Sequence, residues 1–248
     1  MKPIIVGNWK TYVSSQKDAK KLFKAIDKNL PRTVRSEVVV CPPAPLIQPL
    51  RASYVGKRIS FGAQDVSFED GTPTGDIMPT VLKDVGAQYV IIGHADKRRD
   101  GDSDLIVGEK INAALDKGLR PIVSFGEQVR DKEGIYLSDL EQSIRGSLFN
   151  LTESALKKVI IAYEPVWAIG ATVTPSAREI QETNIFIRKT LATKYSRGVA
   201  LKARIIYGGS VDDTNADELI ADADISGFLL GRASVDAEVF TTIVKAWQ

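Results

Sequence analysis

Short runs of β-branched and other apolar residues recur along the chain: IIVGNW at 4–9, VVVC at 38–41, ISFGAQ at 59–64, YVIIG at 89–93, PIVSFG at 121–126, VIIAYE at 159–164, RIIYGG at 204–209 and FLLG at 228–231. They are nearly continuous in apolar residues, as strands buried on both faces of a parallel sheet should be. The segments between them follow the helical period instead. Over residues 15–30, Ala19, Leu22, Phe23 and Ile26 form one stripe with lysines opposite. Over 103–117, Leu105, Ile106, Ile111, Ala114 and Leu115 repeat the pattern, and Gly118 follows as a C-terminal cap. Residues 176–195, 212–222 and 236–247 read similarly. Eight strand–helix units in 248 residues allot about 31 residues to each, a natural length for a βα repeat. Strict alternation predicts an α/β fold with a parallel sheet, and eight units point first to a closed (β/α)8 barrel. A doubly wound open sheet is the competitor. It calls for a glycine-rich phosphate loop after the first strand, where this chain has Asn8, Trp9 and Lys10.

Composition narrows the class without changing the fold. Hydrophobic residues make up 44% of the chain and charged residues 26%, which excludes disorder, collagen-like repeats and a disulfide scaffold. No linker or low-complexity stretch divides it, so one domain is expected. A net charge of +2 demands neither nucleic acid nor an anionic membrane as partner. The one cysteine, Cys41, has no partner for an internal disulfide, in keeping with a reducing compartment. No apolar stretch approaches the ~20 residues of a membrane span, and no signal peptide is legible, so a cytoplasmic location is expected. Asn150-Leu151-Thr152 matches a glycosylation acceptor but reads as chance without a secretory signal.

The single histidine, His94, excludes zinc sites built on several imidazoles. A serine triad would have to pass through it, and the nucleophile elbow G-x-S-x-G is absent. There is no Walker A motif and no G-x-G-x-x-G after a strand. What remains is chemistry done by acid–base groups, backbone amides and a lysine.

In a (β/α)8 barrel such groups sit at the C-terminal ends of the strands. Asn8 and Lys10 follow the first strand, Gln64 the third, His94 and Asp96 the fourth, Glu127 the fifth, and Glu164 ends the sixth. Gly208-Gly209-Ser210 and Gly231-Arg232-Ala233-Ser234 close the seventh and eighth. Each has a plain structural reading: a hydrogen-bonded histidine, a solvated lysine, glycines in tight turns. The run Lys97-Arg98-Arg99 reads as a solvated or ion-paired surface. Glu164 is the odd one, since a carboxylate ending an apolar strand is costly unless used or paired. Together they make a coherent set for proton transfer: a carboxylate base, a neutral imidazole electrophile and a fixed ammonium. Glycine turns with free amides suit a phosphate. Isomerisation of a small phosphorylated aldose or ketose, without metal or organic cofactor, is the expected chemistry.

At these residues the chain resembles the triosephosphate isomerase family along essentially its whole length. The resemblance rests on GNWK (7–10), GAQ (62–64), Thr74-Gly75, YVIIGH (89–94), Gly126-Glu127, AYEPVWAIG (162–170), YGGSV (207–211) and Gly231 before Ala233-Ser234. It implies a single-domain TIM barrel over residues 1–248, with Glu164 as the proton-abstracting base, His94 as the neutral electrophile, and Lys10 beside Asn8 binding substrate electrostatically. It also implies that Gly170, Ser210 and Gly231 offer amides to phosphate. Residues 165–175 correspond to a mobile lid. The loop at about 65–79, with Thr74 near its tip, corresponds to the arm that docks into the neighbouring subunit of a homodimer.

The departures cluster around the site. After the histidine the family pattern Ser-Glu-Arg-Arg is Ala95-Asp96-Lys97-Arg98 here, and Asp96 is one methylene shorter than glutamate. The lid PVWAIGATVTP is two residues shorter than the usual form and lacks its Gly-Lys pair. Arg232 replaces a second glycine, setting a Cβ where an amide normally approaches phosphate; it either clashes or binds the anion itself. Three readings therefore stand at this level: the triose phosphate reaction, isomerisation of a larger sugar phosphate such as a tetrulose phosphate, and a weakly active or non-catalytic barrel.

Overall fold

A computed structural model describes residues 2–68, 74–171 and 174–247. Its strands are β1 (Ile4–Asn8), β2 (Glu37–Cys41), β3 (Ile59–Ala63), β4 (Tyr89–Ile92), β5 (Arg120–Phe125), β6 (Ile160–Tyr163), β7 (Arg204–Tyr207) and β8 (Gly227–Leu230). They pair in parallel in chain order, and β8 returns to β1 with Val6 beside Leu229, closing the barrel. All eight strands lie where the apolar runs place them. The helices are α1 (Gln16–Asn29), α2 (Ile47–Ala52), α3 (Pro79–Asp84), α4 (Ala95–Arg99), α5 (Asp104–Asp116), α6 (Ile135–Leu148), α7 (Glu153–Leu156), α8 (Ala177–Ala192), α9 (Arg197–Leu201), α10 (Ala216–Asp222) and α11 (Ala237–Ala246).

Helix starts follow local chemistry. Ser15, Ser103 and Asp236 cap α1, α5 and α11 through side-chain acceptors, and Ser176 with Glu179 forms a capping box on α8. Gly118 takes φ +71 after α5, and its amide returns to the Leu115 carbonyl, so only glycine sits there without strain. The expected helix at 212–222 is shorter than its pattern. Asp212 accepts from the amides of Thr214 and Asn215, and that side-chain turn delays α10 to Ala216. Helices α2, α3, α7 and α9 are too short to display a period. In α6 the buried stripe Leu140, Ile144, Leu148 is obscured by Ile135, which is exposed.

Why the strands are apolar throughout follows from where the two faces go. Ile4, Val6, Val39, Tyr89, Ile91, Ile122, Ile160, Ala162, Ile206 and Leu229 fill the barrel interior. The alternate residues, among them Ile5, Val38, Val90, Val123, Ile161 and Phe228, pack outward against the helices in a second, larger cluster. The N-terminal end of the barrel is plugged by charge. Glu37 accepts from Tyr89 Oη (2.6 Å), Arg120 Nη1 (2.9 Å) and Arg204 Nη1 (3.0 Å), while Arg204 also donates to the Lys2 carbonyl. Among the described residues no helix is long and apolar enough to cross a membrane.

Candidate active site

Strand alternation carries the mouth residues into place. Ile4 and Val6 point into the barrel, so the next residue of that parity is Asn8. Ile160 and Ala162 lead in the same way to Glu164, Ile206 to Gly208 and Leu229 to Gly231. His94 breaks the rule. Gly93 takes φ +67 and turns the chain, so that His94 becomes the N-cap of α4. There Nδ1 accepts from the Asp96 amide at 3.0 Å, which assigns the proton of a neutral ring to Nε2. Arg98 fastens this turn from behind, with Nε on the Gly93 carbonyl (2.9 Å), Nη1 on Asp104 (2.7 Å) and its guanidinium over the Phe125 ring. The run 97–99 is ion-paired, as its charge pattern predicts, but Arg98 points inward; only Arg99 is largely exposed.

Glu164 is 4% exposed. Its Oε1 lies 3.9 Å from His94 Nε2, and Oε2 has no hydrogen-bond partner among the described residues. Its carboxylate therefore faces the cavity with a hydrogen-bond donor beside it and spare accepting capacity. Glycine at 208 is what leaves it room, because a Cβ there would overlap Glu164 Cγ and come within 2.8 Å of Oε1.

Lys10 adopts φ +44, a left-handed conformation disfavoured for a residue with a Cβ. Two neighbours hold it: its amide donates to Asn8 Oδ1 (3.0 Å), and Gln64 Nε2 donates to its carbonyl (2.9 Å). The ammonium reaches Asp96 Oδ2 at 3.3 Å. Burial raises the Asp96 pKa, but the charges of Lys10, His94 and Arg99 and the Lys10 hydrogen bond outweigh it and hold the carboxyl below its ordinary value. Asp96 thus bears on Lys10 rather than on the cavity itself.

The cavity measures about 530 Å³ and is lined by Asn8, Lys10, His94, Glu164, Gly170, Gly208 to Asp213 and Gly231 to Ala233, among others. Gly170 takes φ +71 at the end of a 3₁₀ turn, Val166–Ala168, and Ser210 Oγ donates to the Ala168 carbonyl at 3.2 Å. A Cβ on Gly231 would stand 3.9 Å from Lys10 Cε, so this turn borders the ammonium. Ser234 Oγ ties the turn to β1 by bonding the Gly231 (2.6 Å) and Asn8 (3.2 Å) carbonyls. Arg232 opens a second 3₁₀ turn, Arg232–Val235, without positive φ; its side chain is exposed on the cavity rim and unpaired among the described residues.

Glu127 does not line the cavity, contrary to its expected convergence on the mouth. It is buried beside the 3₁₀ turn at Val166–Ala168, where Oε1 accepts from Tyr163 Oη (2.9 Å), Trp167 Nε1 (2.9 Å) and Arg130 Nη1 (3.2 Å). Residues 172 and 173 of the expected lid, and 69–73 of the expected dimer arm, lie outside the described residues. Sequence reading passed over Tyr12, Ile169 and Val239, which also line the cavity. Tyr12 and Ile169 carry no strand-end signal, being a loop residue and an exposed apolar side chain just after the 3₁₀ turn that follows β6. Among the described residues, no group of three or more His, Cys, Asp or Glu side chains is placed to hold a metal ion.

A family model described as Triosephosphate isomerase matches residues 3–247. The chain belongs to the triosephosphate isomerase family. It is 41% identical to the triosephosphate isomerase of Carboxydothermus hydrogenoformans and 42% identical to that of Moorella thermoacetica, each alignment covering 98% of both chains. The crystal structure of triosephosphate isomerase from Bartonella henselae superposes with a TM-score of 0.87 at 33% identity, covering 100% of this chain and 99% of that one. Membership makes this protein an aldose–ketose isomerase of the triosephosphate isomerase type.

Proposed function

We propose that the protein interconverts dihydroxyacetone phosphate and glyceraldehyde 3-phosphate, in the cytoplasm and as a homodimer. The observation that carries the reading is the pairing of the Glu164 carboxylate, whose Oε2 is unpartnered among the described residues, with the Nε2 edge of His94, 3.9 Å apart in the cavity. A substrate carbonyl set between them exposes its α-carbon proton to Glu164, which removes it. His94 Nε2–H donates to the oxygen on which negative charge develops, and the Lys10 ammonium stabilises the same charge. His94 gives its Nε2 proton to that oxygen and takes the one on the adjacent hydroxyl, while Glu164 returns the carbon proton to the neighbouring carbon, so that aldehyde and ketone exchange with no net change in composition. Asn8 and Asp96 hold Lys10 in place. The amides of Gly170, Ser210 and Gly231, with the guanidinium of Arg232, take the phosphate. Residues 165–175 close over the intermediate and keep water out, which suppresses loss of phosphate.

The test is a coupled assay on glyceraldehyde 3-phosphate and, side by side, on four-carbon ketose phosphates. The triose phosphate is expected to be turned over with the higher kcat/KM; the reverse ranking overturns the substrate assignment. The dimer reading draws on the family arm around Thr74 and on Tyr12 and Val81, which are 50% and 47% exposed. Sedimentation at micromolar concentration is expected to give twice the chain mass, and a monomer refutes it.

A further inference from the structure

Lys110 lies on the inner side of α5, 4% exposed and away from the cavity. A buried ammonium is costly unless paired, and this one is paired twice. Its Nζ bonds both oxygens of Asp65 (2.9 and 3.2 Å) and both of Asp102 (3.0 and 2.8 Å). The two aspartates come from different parts of the chain. Asp65 follows Gln64 just beyond β3, and Asp102 lies in the turn between α4 and α5. The Lys97 ammonium reaches Asp65 at 3.6 Å, and the Asp102 amide donates to the Lys97 carbonyl at 3.0 Å. Packing alone would be served by an apolar side chain; instead four charges meet at one junction.

What that junction joins gives it meaning. On one side, Gln64 donates to the carbonyls of Lys10 (2.9 Å) and Cys41 (3.0 Å), and so holds the left-handed backbone of Lys10. On the other, α4 begins at the His94 cap and carries Asp96. We propose that Lys110 is a positioning residue of the isomerase site: by clamping Asp65 to the end of α4 it fixes Gln64, and with it the Lys10 ammonium, relative to the His94 imidazole. This rests on the assignment of Lys10 and His94 to the reaction. Displacements of about 1 Å at such a site are enough to slow turnover strongly.

The test compares Lys110→Met, the charge-balanced pair Lys110→Met/Asp102→Asn, and the milder Asp65→Asn, all in the full-length protein. The balanced pair leaves one carboxylate fewer unpaired, so it separates positioning from a failure to fold, which melting curves report. In the folded variants kcat for glyceraldehyde 3-phosphate is expected to fall about tenfold or more with a smaller change in KM, the mark of stabilisation lost mainly in the transition state. Combined with Gln64→Ala, Lys110→Met is expected to add little further loss in kcat/KM, because both act through one path. Strict additivity, or a folded balanced pair with parental KM and kcat, overturns the proposal. Lys10→Met is measured in parallel: parental kinetics there overturn the site reading itself and the proposal with it, whereas an inactive Lys10→Met beside parental Lys110 variants overturns the positioning role alone.

Discussion

The two ends of the barrel treat an inward-facing carboxylate in opposite ways. At the N-terminal end, Glu37 receives a tyrosine hydroxyl and two guanidiniums, and Arg120 in turn stacks over the Tyr89 ring at 5.0 Å. Burial raises the Glu37 pKa, but the Tyr89 bond and the charges of Arg204 and Arg120 more than offset it and hold the carboxyl below its ordinary value. Tyr89 is pushed up to about 12 by burial and by its bond to Glu37. At the C-terminal end, Glu164 sits beside the His94 imidazole with one oxygen unpartnered among the described residues. Both residues occupy inward positions of the same parity as the barrel core. One is saturated and stabilises the barrel; the other is left with free accepting capacity, as the proposed base requires. The cations divide likewise: Arg204 is 8% exposed and locked, Arg232 exposed and free among the described residues. Saturated and unsaturated polar groups are thus separated along the barrel axis, with the proposed reaction at the unsaturated end.

Three measurements break or sharpen this contrast. The largest effect is expected from Glu164→Asp, which withdraws the base by one methylene. Turnover should fall by roughly 10²–10⁴, the range of a positioned acid–base group, while affinity for a phosphorylated inhibitor and the melting temperature stay near parental. Comparable turnover in that variant would remove the isomerase reading. Glu37→Gln is expected to do the reverse. Losing charge-assisted bonds should cost about 1.5–3 kcal/mol of unfolding free energy, with kcat of the folded protein unchanged. The pH dependence has a definite sign. Because the folded-state pKa of Glu37 is depressed below the ordinary 4.5, its contribution is fully present above that pH. It is lost as the pH falls from there through the folded value. Urea titrations of the Glu37→Gln variant should therefore show a flatter acid limb than the parent; equal slopes in both contradict the assignment of stability to this end.

The smallest effect belongs to Arg232→Gly. If this exposed rim cation takes the substrate phosphate as proposed, removing it should raise KM about tenfold with a lesser change in kcat, because a charge-assisted bond lost from bound substrate and transition state alike weakens binding uniformly. A lower KM with higher kcat would show instead that Arg232 obstructs the mouth.

Much of this was legible beforehand, and for physical reasons. Strands buried on both faces must be apolar throughout, so all eight were visible as runs, and the polar residues at their C-terminal ends stood out against them. Parity carried Asn8, Glu164, Gly208 and Gly231 inward without further information. Glu127 misled because its position at the end of β5 matches that of a mouth residue; only its three donors show that it ties β6 to the 3₁₀ turn at Val166–Ala168. Arg98 misled because a run of three cations reads as surface until the Gly93 carbonyl, Asp104 and Phe125 are seen around it.

The chain by itself determined the alternation of elements, the closed parallel barrel and the identity of the groups at its mouth, because periods of two and of 3.6 and the stop signals at helix ends are local properties. The tertiary structure alone decided which of those groups are saturated and which are left free. It brought Asp65, Asp102 and Lys110 together from sites up to 45 residues apart, set Glu164 at one strand end opposite His94 at another, and left Arg232 without a partner among the described residues. No local pattern encodes that pairing, because hydrogen bonds and ion pairs between distant segments exist only once the barrel has closed.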